Sequence, residues 1–381
     1  MERVLIKELG TVSTGNTPSK NDAKFYESED IAFVKPDIIS DSEITYVTST
    51  NEYISENARL KARIVGPDSV FVTCIGSIGK IGIAKEKEYA FNQQINAIEP
   101  NDRVLPEYLA YCLFFNKKKL ADIANAPVVP IINKTQFENF AVNISEDIKE
   151  QQKIVRILDK TNEIILKRKQ QLKQLDTLIK SRFVEMFGDP VHNPMEWPIK
   201  KLSDLSLQIN SGNTPKGGEQ VYVDKGITFF RSQNVWKDRL EMDDIAYIDE
   251  ITHASMNRSS LKHGDILMTK TGRINTENSS LGRAALYMGE DDAANVNGHV
   301  YFIRLRAGVN NKFILRILVS DEYRDYIRSV CVGGIDKRQL NKDHIENFPI
   351  ICPPESMIEE YILFVEQIDK SKLQIQKVAY A

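Results

Sequence analysis

The sequence predicts an α+β protein: two similar modules, each mainly β with a short helical part, separated by two long helices that pair as an antiparallel coiled coil. Three observations predict this fold. The chain has 381 residues, which is enough for about two or three domains. Its first half recurs in its second half. Between the copies, residues 148–187 lack glycine and proline and space their apolar residues as a coiled coil does.

The internal repeat defines the two modules. Sequence matches occur in the same order in both halves, at offsets of 197, 196, 196, 205 and 208 residues. They join 14–18 with 211–215, 31–35 with 227–231, 70–73 with 266–269, 92–98 with 297–303, and 132–134 with 340–342. Because the offset changes only where loops differ in length, we expect both halves to fold alike.

Each copy has the same order of predicted elements. Alternating apolar residues with Gly, Asn and Pro turns predict strands, then one helix follows, and a short strand ends the copy at Ile144 or Ile351. The strand regions are 5–100 and 202–305, and the helices are 106–123 and 311–330. The predicted modules are 1–145 and 188–355, and the long helices are 146–187 and 356–381.

The long helices carry apolar residues at intervals of three and four. The first would extend about 60 Å and stops at Gly188. Its seam is longer than that of the second helix by roughly 16 residues, which leaves apolar side chains for another protein. The candidate helix-pairing and partner residues are Ile154, Leu158, Ile165, Leu172, Leu175, Ile179, Phe183, Val365, Ile368 and Ile375.

Composition argues against several classes of protein. The net charge is −3, so DNA binding would rest on local patches. Four scattered cysteines and five dispersed histidines predict free thiols in a reducing cytoplasm and no metal site. No apolar run predicts a membrane span. Ile81 follows Gly79-Lys80 where a phosphate loop needs Ser or Thr, and no other catalytic motif stands out, so we expect no enzyme and no cofactor in this chain.

Amides and cations cluster near predicted turns and suggest nucleic-acid recognition. Asn and Gln suit adenine edges, Arg suits guanine, and Lys suits phosphate. The candidate DNA-binding residues are Lys20, Lys35, Asn92, Gln93, Gln94, Lys216, Arg231, Gln233, Asn234, Lys270, Arg273, Lys337 and Arg338. Asn92 recurs as Asn297, which favours a shared structural turn over base contact. The Gly-Asn-Thr-Pro segments also predict fixed turns, because Gly and Asn tolerate a positive φ.

The start of the first long helix carries the most specific family signal. Residues 150–155 read Glu-Gln-Gln-Lys-Ile-Val, with Leu158-Asp159 after them. With the duplicated modules and the Gly-Asn-Thr-Pro turns, the whole chain resembles the DNA specificity subunit of type I restriction-modification systems. The sequence departs from that family where residues 359–362 read Glu-Glu-Tyr-Ile, and where Ile144-Ser145 replaces a proline pair that the second copy keeps at 353–354.

The resemblance implies a noncatalytic subunit that binds double-stranded DNA. Each module would be a target recognition domain for one half of a bipartite, asymmetric site, with the helices setting the spacing. Two modification (methyltransferase) subunits would dock on the helices and bind S-adenosylmethionine. Restriction (translocase-nuclease) subunits using ATP and Mg²⁺ would join them.

Two other hypotheses remain open from the sequence. A self-contained restriction or modification enzyme would turn over S-adenosylmethionine or cut DNA with magnesium when purified alone. A coiled-coil scaffold without DNA function would lack neighbouring methylase and translocase genes.

Overall fold

The fold is described from a computed structural model over residues 1–125, 129–274, 276, 278–334 and 337–379, with side chains described as far as Gln376. Residues 380–381 of the predicted C-terminal helix lie outside the described residues. The chain divides into two compact units, Met1–Leu166 (unit 1) and Lys167–Ala381 (unit 2). The division falls inside one long helix.

Unit 1 is mainly β, with α1 between its first two strands and α2, α3 and α4 between β10 and β11. Its strands are β1 (Glu2–Leu5), β2 (Gly10–Thr14), β3 (Ile31–Val34), β4 (Thr45–Val47), β5 (Glu52–Ile54), β6 (Ile64–Val65), β7 (Val70–Thr73), β8 (Ile81–Ala84), β9 (Tyr89–Phe91), β10 (Ile95–Pro100) and β11 (Ala141–Ile144). Its helices are α1 (Ile6–Leu9), α2 (Pro106–Phe115), α3 (Lys117–Asp122), α4 (Lys134–Glu138) and the first part of α5 (Ile148–Phe187).

The strands of unit 1 form sheets in the orders β2-β10-β7-β8-β4, β5-β3-β9-β6 and β1-β11. The pairs β3–β9 and β4–β8 are parallel. An apolar cluster from β7, β8, α2 and β11 forms one core, and Phe71, Tyr89 and Phe91 belong to a second core on the neighbouring sheet. Strand β7 is buried along its whole length, which explains its continuous apolar run.

Unit 2 repeats this order. Its strands are β12 (Ile199–Lys201), β13 (Ser206–Ser211), β14 (Tyr222–Val223), β15 (Ile227–Phe230), β16 (Val235–Trp236), β17 (Arg239–Leu240), β18 (Ala246–Ile248), β19 (Ile266–Thr269), β20 (Thr271–Gly272), β21 (Ala284–Leu286), β22 (Ala294–Val296), β23 (Val300–Leu305), β24 (Val332–Gly333), β25 (Arg338–Gln339) and β26 (Pro349–Ile351). Its helices are α6 (Leu202–Leu205), α7 (Glu250–Ser255), α8 (Asn311–Val319), α9 (Asp321–Val330), α10 (Lys342–Glu346), α11 (Glu355–Ala379) and the end of α5.

The sheets of unit 2 match those of unit 1. The order β13-β23-β19-β21 corresponds to β2-β10-β7-β8, and the parallel pair β15–β22 corresponds to β3–β9. In the strand register, Lys201 pairs with Pro349 in unit 2, and Leu5 pairs with Ala141 in unit 1. Pro349 follows Ala141 by 208 residues, so this offset applies to the strands that precede the long helices. The predicted duplication is confirmed by this strand order. Unit 2 adds the hairpin β16-β17 and the small sheet β20-β25-β24.

The long helices run over Ile148–Phe187 and Glu355–Ala379, against the predicted ranges 146–187 and 356–381, and the helix of each module is broken. The prediction of one helix over 106–123 is wrong, because Asn116, with φ −99° and ψ 12°, separates α2 from α3. The prediction over 311–330 is wrong as well. Ser320 has an extended ψ of 155°, and its hydroxyl accepts a hydrogen bond from the Tyr323 N–H at 3.2 Å. Ser320 therefore ends α8 and caps α9.

The end of α5 and the start of α11 belong to the core of unit 2. Phe183, Phe187, Phe313 and Tyr361 pack with ring centroids 5.0–5.8 Å apart. The two helices run antiparallel here, because Arg182 pairs with Glu360 at 2.7 Å while Asp176 pairs with Lys372 at 2.6 Å. Farther along, Leu172 and Val365 line a cavity of about 630 Å³. The buried contact is therefore concentrated at the C-terminal end of α5.

Candidate nucleic-acid interface

The Gly-Asn-Thr-Pro segments, here called glycine turns (residues 14–18 and 211–215), lie against the ends of strands. The Gly15 N–H donates to the Ile95 carbonyl at 3.1 Å. A β-carbon at Gly15 would lie 2.2 Å from the Asn92 carbonyl oxygen, and one at Gly212 would lie 2.0 Å from the Val296 carbonyl oxygen. Neither glycine has a positive φ, so the reason predicted from the sequence is wrong. Glycine is required because two backbones approach too closely for a side chain.

Each glycine turn packs on an apex turn, the name used here for residues 91–94 and 296–299. The Asn92 Oδ1 accepts a hydrogen bond from the Gln94 N–H at 3.1 Å, and the Asn297 Oδ1 accepts one from the His299 N–H at 3.0 Å. Asn92 is only 5% exposed, while Gln93 and His299 are exposed. The Asn92 amide is thus used to hold the turn, and its neighbours are the residues accessible to a ligand.

The loop that follows β7 or β19, here called the closing loop, is shut in the same way in both units. The closing loops are residues 74–79 and 270–282, of which 275 and 277 lie outside the described residues. The Thr73 carbonyl accepts from the Gly79 N–H at 2.9 Å, and the Thr269 carbonyl accepts from the Gly282 N–H at 3.1 Å. Both glycines have a positive φ, 79° and 66°, which a side chain would strain. Unit 2 therefore keeps the closure while carrying a longer loop.

The closing loop is bonded to the apex turn in each unit. The Cys74 N–H donates to the Gln94 carbonyl at 2.7 Å, and the Lys270 N–H donates to the His299 carbonyl at 2.9 Å. Glycine turn, apex turn and closing loop therefore meet at one place in each unit, held by equivalent backbone hydrogen bonds. The backbone framework is shared, and the side chains on it differ.

In unit 2 the closing loop pairs with a hairpin. Strand β20 pairs with β25, and β25 with β24, so that Gly272 and Gly333 both lie opposite Arg338. The Leu340 N–H donates to the Lys270 carbonyl at 2.9 Å. We call β20, β25 and β24 the basic sheet, because four predicted site residues lie on or beside it. These residues are Lys270, Arg273, Lys337 and Arg338.

Unit 1 has different chemistry at the same place. Ile75 bridges Ile131 where unit 2 has the basic sheet. Lys20 and Gln93 are exposed near the glycine turn. The Thr17 Oγ1 donates to the Gln93 Oε1 at 2.8 Å, which leaves the Gln93 Nε2 donor for a ligand. Unit 1 therefore offers an amide where unit 2 offers cations.

Arg231, Gln233 and Asn234 share one acidic neighbour. The Arg231 Nη2 donates to the Asp244 carbonyl at 2.6 Å, and the Gln233 Nε2 donates to the Asp244 carboxylate at 2.9 Å. Asn234 is 1% exposed, and its Nδ2 also donates to the Asp244 carbonyl, at 3.1 Å. These contacts explain Asn234 as a structural residue, so its predicted base contact would require the turn to open.

The predicted cations differ in whether their charge is already neutralised. Lys35 pairs with Glu52, and Arg231 pairs with Asp244 at 3.1 Å. Those that form no ion pair within the described residues are Lys20, Lys216, Lys270, Arg273, Lys337 and Arg338. Unpaired cations are the ones best able to replace the counterions of a phosphate backbone.

The predicted helix-pairing residues fall into groups by burial. Ile179, Phe183 and Val365 are buried in the core of unit 2. Leu158, Leu172, Leu175, Ile368 and Ile375 are half-buried, and Ile165 is exposed. Ile154 is half-buried and packs against the core of unit 1 beside Val155. Its place in the first turns of α5 anchors the helix to its own unit.

The described residues also limit other kinds of site. Among them, no group of His, Cys, Asp and Glu is arranged to hold a metal ion. No helix in that part of the chain is long and apolar enough to cross a membrane.

Comparisons with known proteins agree on one family. The sequence profile of the type I restriction modification DNA specificity domain matches residues 1–176. The type I restriction enzyme MjaIX specificity subunit of Methanocaldococcus jannaschii is 26% identical over 98% of this chain and 87% of that protein. The chain is similar in sequence to type I restriction-modification specificity subunits. The HindI specificity subunit of Haemophilus influenzae is 30% identical over 46% of this chain and 39% of its own length.

Solved structures of specificity subunits share the fold. The S subunit of the type I system from M. genitalium gives a TM-score of 0.53 at 11% identity, covering 99% of this chain and 93% of that one. A structure described for assembly and conformational transition of the type I system gives 0.55 at 16% identity, covering 100% and 92%. These likenesses confirm the predicted α+β fold.

Sequence reasoning did not select three residues that the structure places in or beside the framework. His299 occupies the apex-turn position equivalent to Gln94, and its signal was the repeat itself at an offset of 205. Arg283 helps to close the loop of unit 2, because its backbone N–H donates to the Thr269 Oγ1 at 2.9 Å. Trp236 lies beneath Arg283, 3.8 Å from its guanidinium carbon to the ring centroid, a contact that sequence spacing does not encode.

Proposed function

We propose that this chain is the noncatalytic DNA-recognition subunit of a type I restriction-modification complex. Each target recognition domain, 1–145 and 188–355, would read one half of a bipartite, asymmetric site in double-stranded DNA. The observation that carries the proposal is the shared framework of glycine turn, apex turn and closing loop with different side chains. The same backbone offers Gln93 and Gln94 in unit 1, but Gly298 and His299 in unit 2.

Differences at equivalent positions predict half-sites of different sequence. In unit 1 the Gln93 amide, whose Oε1 already accepts from the Thr17 Oγ1, would use its Nε2 donor to contact a base edge, for which adenine is the best match. In unit 2 the exposed Arg273 and the unpaired Arg338 would favour guanine edges, while Lys270 and Lys337 would hold phosphates. The net charge of −3 predicts weak binding by the isolated chain, with a shallow dependence on salt.

Partner subunits would supply the chemistry. Exposed apolar side chains on α5, among them Ile157 at 55% and Ile164 at 56%, offer contact area to another protein. We propose that two modification subunits, binding S-adenosylmethionine, dock on the long helices, and that ATP- and Mg²⁺-dependent restriction subunits join them. A complex acting on DNA in this way would work in the cytoplasm.

The decisive experiment exchanges one recognition domain. Residues 190–355 are replaced by the counterpart from a relative of different specificity, and the methylome of cells carrying the complete system is sequenced. We expect one half of the methylated site to change while the other half is retained. Changes in both halves, or in neither, would refute the proposal.

Three further measurements separate base recognition from spacing and from catalysis. Insertion of four residues within 161–180 of α5 should change the spacer or abolish activity without changing either half-site. His299→Ala should relax only the half-site of unit 2, and Gln94→Ala, at the equivalent position, only that of unit 1. Methyl transfer or DNA cleavage by the purified chain alone, given S-adenosylmethionine or magnesium, would favour a self-contained enzyme.

A further inference from the structure

A cluster of cations surrounds Trp236 outside the residues assigned to base reading. The Arg283 guanidinium carbon lies 3.8 Å from the indole centroid, and that of Arg239 lies 5.3 Å from it. Hairpin β16-β17 holds Trp236 opposite Arg239, and the Trp236 Nε1 donates to the Gln233 carbonyl at 3.0 Å. The indole is therefore fixed in position, and it orients both guanidinium groups.

Arg283 forms no ion pair with a carboxylate in the described part of the chain. Its Nε donates to the Ser279 carbonyl at 3.0 Å, its Nη2 to the Asn278 carbonyl, and its Nη1 has no hydrogen-bond partner among the described residues. Arg239, in contrast, pairs with Glu241 at 2.5 Å. Backbone carbonyls hold the Arg283 group in place without neutralising its charge.

The local electrostatics favour an anion. Burial lowers the pKa of Arg283, and the neighbouring Arg324 and Arg239 lower it further. Arg324 and Arg239 therefore disfavour the charged form of Arg283, and a bound anion would offset this repulsion in addition to the charge that Glu241 places beside Arg239. A planar guanidinium with free N–H groups matches the geometry of a phosphate oxygen pair.

We infer that Trp236, Arg239 and Arg283 form a phosphate-binding site that contacts the DNA backbone beside the base-reading residues of unit 2. Arg283 closes the loop that carries Lys270 and Arg273, so this site adjoins the candidate interface. The equivalent residue of unit 1 is Lys80, which follows the closing glycine and donates its Nζ to the Pro36 carbonyl at 3.0 Å. The stacked arrangement belongs to unit 2, and the inference rests on the proposed DNA-recognition function.

Tryptophan fluorescence reports on this site directly. The sequence has two tryptophans, Trp197 and Trp236, so Trp197→Phe leaves an emission signal from Trp236 alone. The full chain with this substitution is titrated with inorganic phosphate and, separately, with a fluorescently labelled duplex whose binding is followed by anisotropy at low salt. We expect both to change the Trp236 emission, and we expect the duplex to do so at the concentrations at which anisotropy shows binding.

Substitution tests which group binds. Arg283→Gln should remove the emission change and reduce the slope of log affinity against log salt by about 1, with the preference for target over non-target DNA unchanged. Lys225→Gln, an exposed lysine removed as a charge-matched control, should leave the emission change intact. Arg283→Lys keeps the charge and guards against loss of folding, and we expect it to retain part of the response.

The outcomes distinguish this inference from the function on which it rests. Duplex binding without a change in Trp236 emission overturns the phosphate site while leaving DNA recognition in place. A response to phosphate without any duplex binding supports an anion site for a small phosphate ligand and refutes the DNA-backbone assignment, while the exchange of residues 190–355 in the complete system tests the proposed function separately. The inference is overturned if neither ligand changes the Trp236 emission, or if Arg283→Gln leaves the slope of log affinity against log salt unchanged.

Discussion

Gln151 is the residue whose replacement tests the architecture most sharply. Its side chain is fully buried at the first turn of α5. The Gln151 Nε2 donates to the Arg103 carbonyl at 2.8 Å and to the Ser145 carbonyl at 2.7 Å, and its Oε1 accepts from the Leu105 N–H at 2.9 Å. One amide therefore ties the long helix to the loop before α2 and to the end of β11.

Gln151→Leu keeps the approximate volume but removes all of these bonds. The Ser145 bond is buried and the other two are partly buried. Loss of the Ser145 bond should lower the free energy of unfolding by about 2 kcal/mol and loss of each of the others by about 1 kcal/mol, which makes about 4 kcal/mol in total. A domain is stable by about 5–15 kcal/mol, so unit 1 should become marginal while unit 2 is unaffected.

Hydrogen exchange measured by mass spectrometry checks this prediction unit by unit. Protection should fall in peptides covering residues 101–115 and 141–155, while tryptophan fluorescence in urea, which reports unit 2 alone, should keep its midpoint. Gln152→Leu is the matched control, because the neighbouring Gln152 is exposed and should change stability by less than about 0.5 kcal/mol. Equal effects of the two substitutions would refute the reasoning.

Further predictions concern Glu359 at the start of α11, Gly15 in the framework, and the ion pairs of Asp321. Glu359 is the counterpart of Gln151, lies exposed beside a cavity of about 430 Å³ lined by Gly308, Asn310 and Pro353, and cannot donate to carbonyls. Glu359→Gln should stabilise unit 2 by about 1 kcal/mol, read as a higher urea midpoint of tryptophan fluorescence; a lower midpoint contradicts this. Gly15→Ala should cost about 1–3 kcal/mol by hydrogen exchange in unit 1, whereas Gly66→Ala, with nothing within 4 Å, should cost little. Hydrogen bonds from Lys180 and Lys237 lower the pKa of Asp321 to about 2. The resulting stabilisation is present above the unfolded pKa of about 3.9 and is lost as pH falls toward 2; exposure keeps it below about 1 kcal/mol. Asp321→Asn should therefore lower the urea midpoint at pH 6 but not near pH 2, and a constant difference would refute the assignment.

The fold was predictable as far as local patterns reach. The repeat and the heptad spacing predicted the duplicated sheets and the bounds of α5, because these signals depend on residue spacing alone. The break at Ser320 was also present in the sequence, as a serine followed by Asp321 and Glu322, which is a typical start of a helix. The apolar periodicity on both sides of Ser320 hid this signal, since it continues across the break.

The site was predictable in composition but not in assembly. Lys270, Arg273, Lys337 and Arg338 were selected separately, and only the pairing of β20, β25 and β24 brings them together. The stacking on Trp236 depends on a hairpin that meets β21 across a long sequence separation, so no local pattern indicates it. The role of Asn92 was predictable, because its recurrence as Asn297 favours a structural turn and its Oδ1 accepts a local hydrogen bond from the Gln94 N–H.

The framework separates stability from recognition. Three positions in each unit hold the framework: the apex-turn asparagine, the closely packed glycine of the glycine turn, and the glycine that closes the loop after β7 or β19. Backbone contacts fix all three, and a substitution at any of them would strain those contacts. The side chains at the next two apex-turn positions, Gln93 and Gln94 in unit 1 and Gly298 and His299 in unit 2, make few contacts that the fold requires. Substitutions there should therefore cost less stability than substitutions of the framework, because surface positions tolerate exchange. A duplicated framework of this kind can hold two different sets of DNA-contacting side chains, and either set can change while the other is kept.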